Sequence, residues 1–313
     1  LTYNTAVGYA AGNAMTTGVQ NTLIGGLAGD ALTTGSSNVA VGVLALSSED
    51  TGGKNIAIGF QSLAAQNYDG DAYNVAIGHQ AGLAVTTGIQ NTLIGGLAGD
   101  ALTTGAKNVA IGVQSLSTED TGSRNVAIGY QALLQLNYNG EGYNVAVGSN
   151  AGENVTTGIN NTFIGGLAGD ALTTGSNNVA IGKSALSAED TGSHNVAIGN
   201  EALQDLNYNG SGYNTAVGSR AGADITTGIK NTLIGGGSGD ALTEGHSNTA
   251  VGYESLSASV DGDGNTAIGY LALRAYEDGD GNGHNTAIGS NSQAAATTGE
   301  FNTSVGALSQ GVG

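Results

Sequence analysis

The 313-residue chain has no cysteine, no proline and no tryptophan, and only seven lysines and arginines against 25 aspartates and glutamates. Without cysteine there is no disulfide scaffold, and the compartment stays open. At a net charge of −18, with no basic rows to lie along phosphates, nucleic acid is excluded as a partner. No apolar run approaches the ~18–20 residues that a membrane helix needs. No charged-then-apolar leader opens the chain, so any signal peptide is expected to be removed or to lie outside this sequence.

What abounds is glycine, 56 residues of it, and repetition. NTLIGGLAGDALTTG at 21–35 stands again unchanged at 91–105, with one change at 161–175 and with three at 231–245, each start 70 residues after the last. A chain of this length would suggest two globular domains on a ~150-residue prior. The repeat runs from end to end, however, and points to a single repeat domain, 1–313, with super-repeats 4–73, 74–143, 144–213 and 214–284 and a partial one at 285–313.

Each super-repeat divides further. An Asn opening a short pentapeptide recurs 18 times, from NTAVG at 4, NTLIG at 21, NVAVG at 38, NIAIG at 55 and NVAIG at 74 to NTSVG at 302. The steps are 17, 17, 17 and 19 residues, which sum to 70; one later step, Asn265 to Asn285, is 20. A short period with turn residues in register marks a solenoid. Position two is always Thr, Val or Ile, position four always Ile or Val, and position five always Gly. β-Branched residues at alternate positions between Asn and Gly read as a strand, and the frequent Gly opposes a helix. The fold class is therefore all-β: a parallel β-solenoid, or β-roll, of about 18 coils.

Stacked coils place identical residues ~4.8 Å apart. Asn4, Asn21, Asn38, Asn55 and Asn74 open an expected amide ladder, each side chain bonding its copy above and below. Ile and Val at position four form an apolar ladder. Gly8 and Gly25 are expected at corners with positive φ. Position three lies on the opposite strand face. It is Ala in thirteen coils, Leu in three, and otherwise Phe163 and Ser304. Both faces thus read as covered, and a homo-oligomer is expected, with the position-three column at the shared interface.

The N-[TV]-A-[IV]-G unit, with a small residue three further on (Ala11, Ala28, Ala45), resembles the head repeats of trimeric autotransporter adhesins. Related NTAIG-type repeats occur in bacteriophage tail-fibre proteins. The resemblance covers about 4–313. It implies a left-handed roll, three chains around one axis, and attachment rather than catalysis. It also implies an extracellular or cell-surface location, or alternatively a virion. This chain's 17-residue coil is longer than the shortest head repeats, and it shows neither a coiled-coil stalk nor an anchor barrel.

The four-coil order separates four coil types. The third carries Glu49–Asp50, Glu119–Asp120 and Glu189–Asp190, read as a solvated surface compensated by Lys54 and Arg124. The fourth ends in a tyrosine-rich loop: NYDGDAY at 67–73, NYNGEGY at 137–143 and NYNGSGY at 207–213. Tyr68, Tyr73, Tyr138, Tyr143, Tyr208 and Tyr213 are candidate surface contacts to a cell-surface glycan or protein, with Tyr68, Tyr138 and Tyr208 leading. The competing reading has these rings sealing the coil edge.

Asp278, Asp280 and Asn282 begin like a calcium loop, but Gly289 stands where the bidentate Glu belongs. Asp261 and Asp263 form a similar run. These residues offer a candidate weak calcium site, set against a solvated acidic turn; no other cofactor is expected. The four histidines show no zinc spacing, and no serine elbow or phosphate loop occurs, so the chain is expected not to be an enzyme.

The expected function is a non-enzymatic extracellular structural or adhesive fibre module. The alternative is a bacteriophage tail-fibre or capsid-fibre shaft, and ice binding through Thr33–Thr34 and Thr103–Thr104 is disfavoured by the interrupted threonine array. The sequence opens and closes in mid-coil, so head-to-tail stacking into a filament or continuation of the chain is expected.

Overall fold

A computed structural model describes residues 3–277 and 283–310. The protein is an all-β parallel solenoid, with eighteen three-residue strands and no helix among the described residues. It comprises two units, Leu1–Ile159 and Asn160–Gly313. The first holds nine strands, β1 (Thr5–Val7), β2 (Thr22–Ile24), β3 (Val39–Val41) and so on to β9 (Val145–Val147). The second holds nine, from β10 (Thr162–Ile164) to β18 (Thr303–Val305). Within each unit every strand pairs in parallel with the next, residue for equivalent residue: Thr22 faces Val39, Leu23 faces Ala40 and Ile24 faces Val41.

The strands stand the opposite way round from the sequence expectation. Position three points into the coil: Leu23, Ala40, Ala57, Leu93 and Phe163 are fully buried. Positions two and four point outward and are half-buried to exposed, with Ile24, Ile164 and Ile234 each 40% exposed. The position-three column is therefore the chain's own core and not an interface between chains. The physical reason is the bore of the coil. Ala fits it where a second large side chain already enters from another wall.

That second side chain explains the four-coil order. In the first two coils of a block the interior is filled by Val85, Leu32 or Leu102, while Gly12, Gly29, Gly82 or Gly99 leaves space three residues earlier. A Cβ on Gly29 would lie 2.8 Å from Leu32 and 2.9 Å from Leu23. In the third and fourth coils the pattern reverses: Leu46, Leu63, Leu116 and Leu133 fill that position, opposite buried Ala40, Ala57, Ala110 and Ala127. The 70-residue period is thus written into close packing, where one misplaced methylene is felt.

The Asn column is buried from Asn21 to Asn285, with Asn4 and Asn302 half-buried at its ends, and its bonding differs from a side-chain ladder. Each Oδ1 accepts from the backbone N–H of the next coil's Asn, as Asn4 does from Asn21 at 2.8 Å and Asn21 from Asn38 at 2.9 Å. In the first three coils of each full block Nδ2 donates to a glycine carbonyl of its own coil, Asn21 to Gly35 at 2.9 Å and Asn38 to Gly52 at 3.0 Å; in the fourth coils of the second and third blocks it turns to a serine carbonyl instead, Asn125 to Ser123 and Asn195 to Ser193, both at 3.3 Å. The amide thereby closes one coil and ties it to the next. The pentapeptide glycine turns the corner as expected: Gly25 has φ +137°, and a Cβ there would meet the Gly42 carbonyl oxygen at 2.5 Å.

Candidate functional site

The candidate surface is the edge where a tyrosine loop joins the next coil. Two extra residues enter the fourth coil of each of the first three blocks, and the loop pairs with the corner below it through parallel bridges: Gly53 with Asp71, Ser123 with Glu141, and Ser193 with Ser211. The Asn ladder stretches there but holds. Asn74 and Asn144 reach the amide below at 3.2 Å, against 2.8–3.0 Å between ordinary coils of the first unit.

The two tyrosines of each loop are placed differently. Tyr68, Tyr138 and Tyr208 are half-buried, and each ring lies over the glycine of its own loop: a Cβ on Gly70, Gly140 or Gly210 would meet that ring at 3.1, 2.8 or 2.9 Å. The outward rings are Tyr73, Tyr143 and Tyr213, about half exposed. Each lies beside a polar partner from the corner one coil below. Lys54 Nζ is 2.9 Å from the Tyr73 hydroxyl, 2.9 Å from Asp71 and 4.9 Å from the ring centre. Arg124 binds Glu141 at 2.7 Å and lies 5.6 Å from the Tyr143 ring, whose hydroxyl donates to Glu141. In the second unit His194 stacks on Tyr213 at 5.1 Å and bonds Ser211 at 3.2 Å. Hydrogen bonds to Tyr73 and then Asp71 hold Lys54 above the usual ammonium value. Those from Tyr143 and then Arg124 hold Glu141 below the usual carboxylate value.

The acidic pairs are not the solvated surface that the sequence suggested. Glu49, Glu119 and Glu189 are fully buried, at the interior position that Leu32 takes in the second coil. Glu49 accepts from Gly52 N at 2.7 Å through one oxygen and from Tyr68 N at 3.3 Å through the other. Glu189 repeats this with Gly192 and Tyr208. The carboxylate therefore anchors the tyrosine loop to the coil beneath. A Cβ on Gly52, Gly122 or Gly192 would strike it within 2.7 Å, which is why glycine stands three residues after each Glu. Lys54 and Arg124 serve the tyrosine loop instead of these pairs. Sequence reasoning missed the buried Glu because an ED pair reads as surface; its signal was the column it shares with leucine.

Among the described residues no group of three or more His, Cys, Asp or Glu is placed to hold a metal ion. Asp261 accepts from the Thr243 hydroxyl at 2.9 Å, and Asp263 caps the corner before it by accepting from His246 N at 2.6 Å. Asp278, Asp280 and Asn282 lie outside the described residues.

The residues just after the pentapeptide glycine form another exposed column. Phe60 stacks on His79 at 5.3 Å in the first unit, and Tyr253 on Tyr270 at 5.8 Å in the second. Compared with protein-family models and with curated proteins, the sequence matches neither.

Proposed function

We propose that the chain is a non-enzymatic, extracellular structural and adhesive fibre module that packs against further copies of itself, three by the repeat resemblance. One observation carries this reading: on every strand the β-branched residues at positions two and four face outward, uncovered within a single chain. In each unit they form two uncharged columns in register, one of Thr, Val and Ile and one of Ile and Val alone. A contiguous apolar surface of this kind marks an association site. A repeated strand face provides many small contacts, so association strengthens with the number of coils engaged. The tyrosine loops and charged corners lie off these columns and are left for ligand or lateral contacts.

The test is light scattering at micromolar concentration, with Ile94→Ser, Ile111→Ser and Ile128→Ser combined on the outward column. The wild-type chain should be oligomeric, and the variant should dissociate while keeping its β signal. A wild-type chain that remains a folded monomer would end this reading.

A further inference from the structure

The four-coil block provides its own control, because equivalent positions recur within one chain. The fourth block departs from the other three at several positions, and the departures converge on one place in the second unit. Gly237 stands where Leu27, Leu97 and Leu167 stand. Tyr253 replaces Val43, Val113 and Lys183, and Glu254 replaces Leu44, Gln114 and Ser184. Arg220 replaces Ala10, Gln80 and Asn150, and Arg274 replaces Ala64, Leu134 and Gln204.

The missing leucine leaves a notch of about 310 Å³ lined by Arg220, Gly236, Gly237, Asp240, Tyr253 and Glu254. A second depression of about 360 Å³ shares Asp240 and Glu254 and is flanked by Arg274. Each lies at the small end of the ~300–1,000 Å³ range of ligand sites. Tyr253 is 53% exposed. One face of its ring is covered by Tyr270, with the planes 14° apart. The other face looks over Gly236, which has no side chain; a Cβ there would lie 3.5 Å from the ring. Asp240 Oδ2 and the Glu254 stem border the void over Gly237, 3.7 and 3.4 Å from where a Cβ would sit. Arg220 is held by Glu201 at 3.6 Å and by Asp224 at 3.9 Å, and Arg274 by Glu254 at 3.5 Å.

We propose that this notch is a carbohydrate site that takes one pyranose ring of a glycan. The open Tyr253 face receives the apolar C–H face of the sugar. Asp240 and Glu254 accept from its hydroxyls, and Arg220 donates to hydroxyl or ring oxygens. An aromatic ring beside carboxylates would also suit an organic cation. The guanidiniums on either side count against that occupant, which they would repel. The site rests on the adhesive part of the function proposed above, but it belongs to one chain and lies off the outward strand columns.

Saturation-transfer NMR tests it with four sugar probes, methyl α-mannopyranoside, methyl β-galactopyranoside, methyl β-glucopyranoside and N-acetylglucosamine, and with tetramethylammonium as the organic-cation control. Each is used at about 10 mM, above the ~1 mM dissociation constant that ~4 kcal/mol of binding gives. At least one should receive transfer at its ring protons. Transfer should be lost in Gly237→Leu, which restores the residue of the other blocks; Leu27 sits at φ +57° and Gly237 at φ +61°, so the backbone accepts it. Tyr253→Val, the residue at 43 and 113, should lose transfer as well. No transfer from any of the four, or transfer unchanged in both variants, overturns the proposal. So does transfer to tetramethylammonium alone that the variants abolish. Light scattering on the same samples reports assembly separately, so a failed sugar site and a failed fibre reading remain distinct.

Discussion

Glu49, Glu119 and Glu189 are held by backbone amides in the coil interior, where burial pushes their carboxyls above the usual value and the amides of Gly52, Gly122 and Gly192 pull part of the way back. A carboxyl whose folded-state pKa exceeds its unfolded one binds its proton more tightly in the fold. The stability it contributes is greatest below the unfolded value near 4.5 and is lost as pH rises through the folded value. Melting temperature should therefore be higher at about pH 5 than at about pH 7, and Glu119→Gln should narrow the difference. Circular-dichroism melts decide it, and a melting point that drops on acidification to pH 5 contradicts the assignment. The Asn column makes a second prediction at this scale. Asn108 donates to Gly122 O at 2.8 Å and accepts from Asn125 N at 2.9 Å, both buried. Asn108→Ala leaves two buried groups unpaired and should cost roughly 2–6 kcal/mol, at ~1–3 for each, measured by denaturant unfolding. Lys54–Asp71 is half exposed and screened by solvent, and its removal should leave the unfolding midpoint nearly unchanged.

At the scale of the coil, two adjacent glycines differ in kind. Gly25 has φ +137° and a carbonyl oxygen 2.5 Å from any Cβ, whereas Gly26 has nothing within 4 Å. Gly25→Ala should cost roughly 1–3 kcal/mol from the backbone alone, and more from the clash. Gly26→Ala should stay within ~0.5 kcal/mol, and paired melts of the two variants check the contrast. Many other corners are made without glycine: Gln20, Leu27, Ser37, Leu46 and Lys54 all have φ between +53° and +61°. Such residues resist left-handed φ, and here close packing of Leu46 and Leu63 in the bore fixes it. Periodicity located the strands and the glycine corners. It could not show that leucines would turn corners, because no local preference for that geometry exists in the leucine side chain.

At the scale of the whole molecule, the net charge of −18 bears on the proposed self-association. Like-charged chains repel, while the outward columns are uncharged, so salt should favour assembly. Raising salt from about 10 mM to about 150 mM shortens the screening length from ~30 Å to ~8 Å. The dissociation constant measured by sedimentation should then fall. A rise would mean that complementary charges, rather than the apolar columns, hold the copies together.

The sequence by itself determined the solenoid, its parallel register and the place of every strand, because identical residues at a fixed spacing can only be satisfied by stacking. It also marked the tyrosine loops, since two extra residues in a fixed period must leave the coil wall. Tertiary structure decided which strand face is core. Alternation assigns residues to two faces without naming the inner one, and the choice fell to volume: Ala40 and Ala57 fit beside Leu46 and Leu63, where Ile would not. The same competition for space drew Glu49 inward and turned Tyr68 onto Gly70, leaving Tyr73 outside. The notch over Gly237 exists only where coils are stacked, because it is made of side chains from neighbouring coils and of one that is absent.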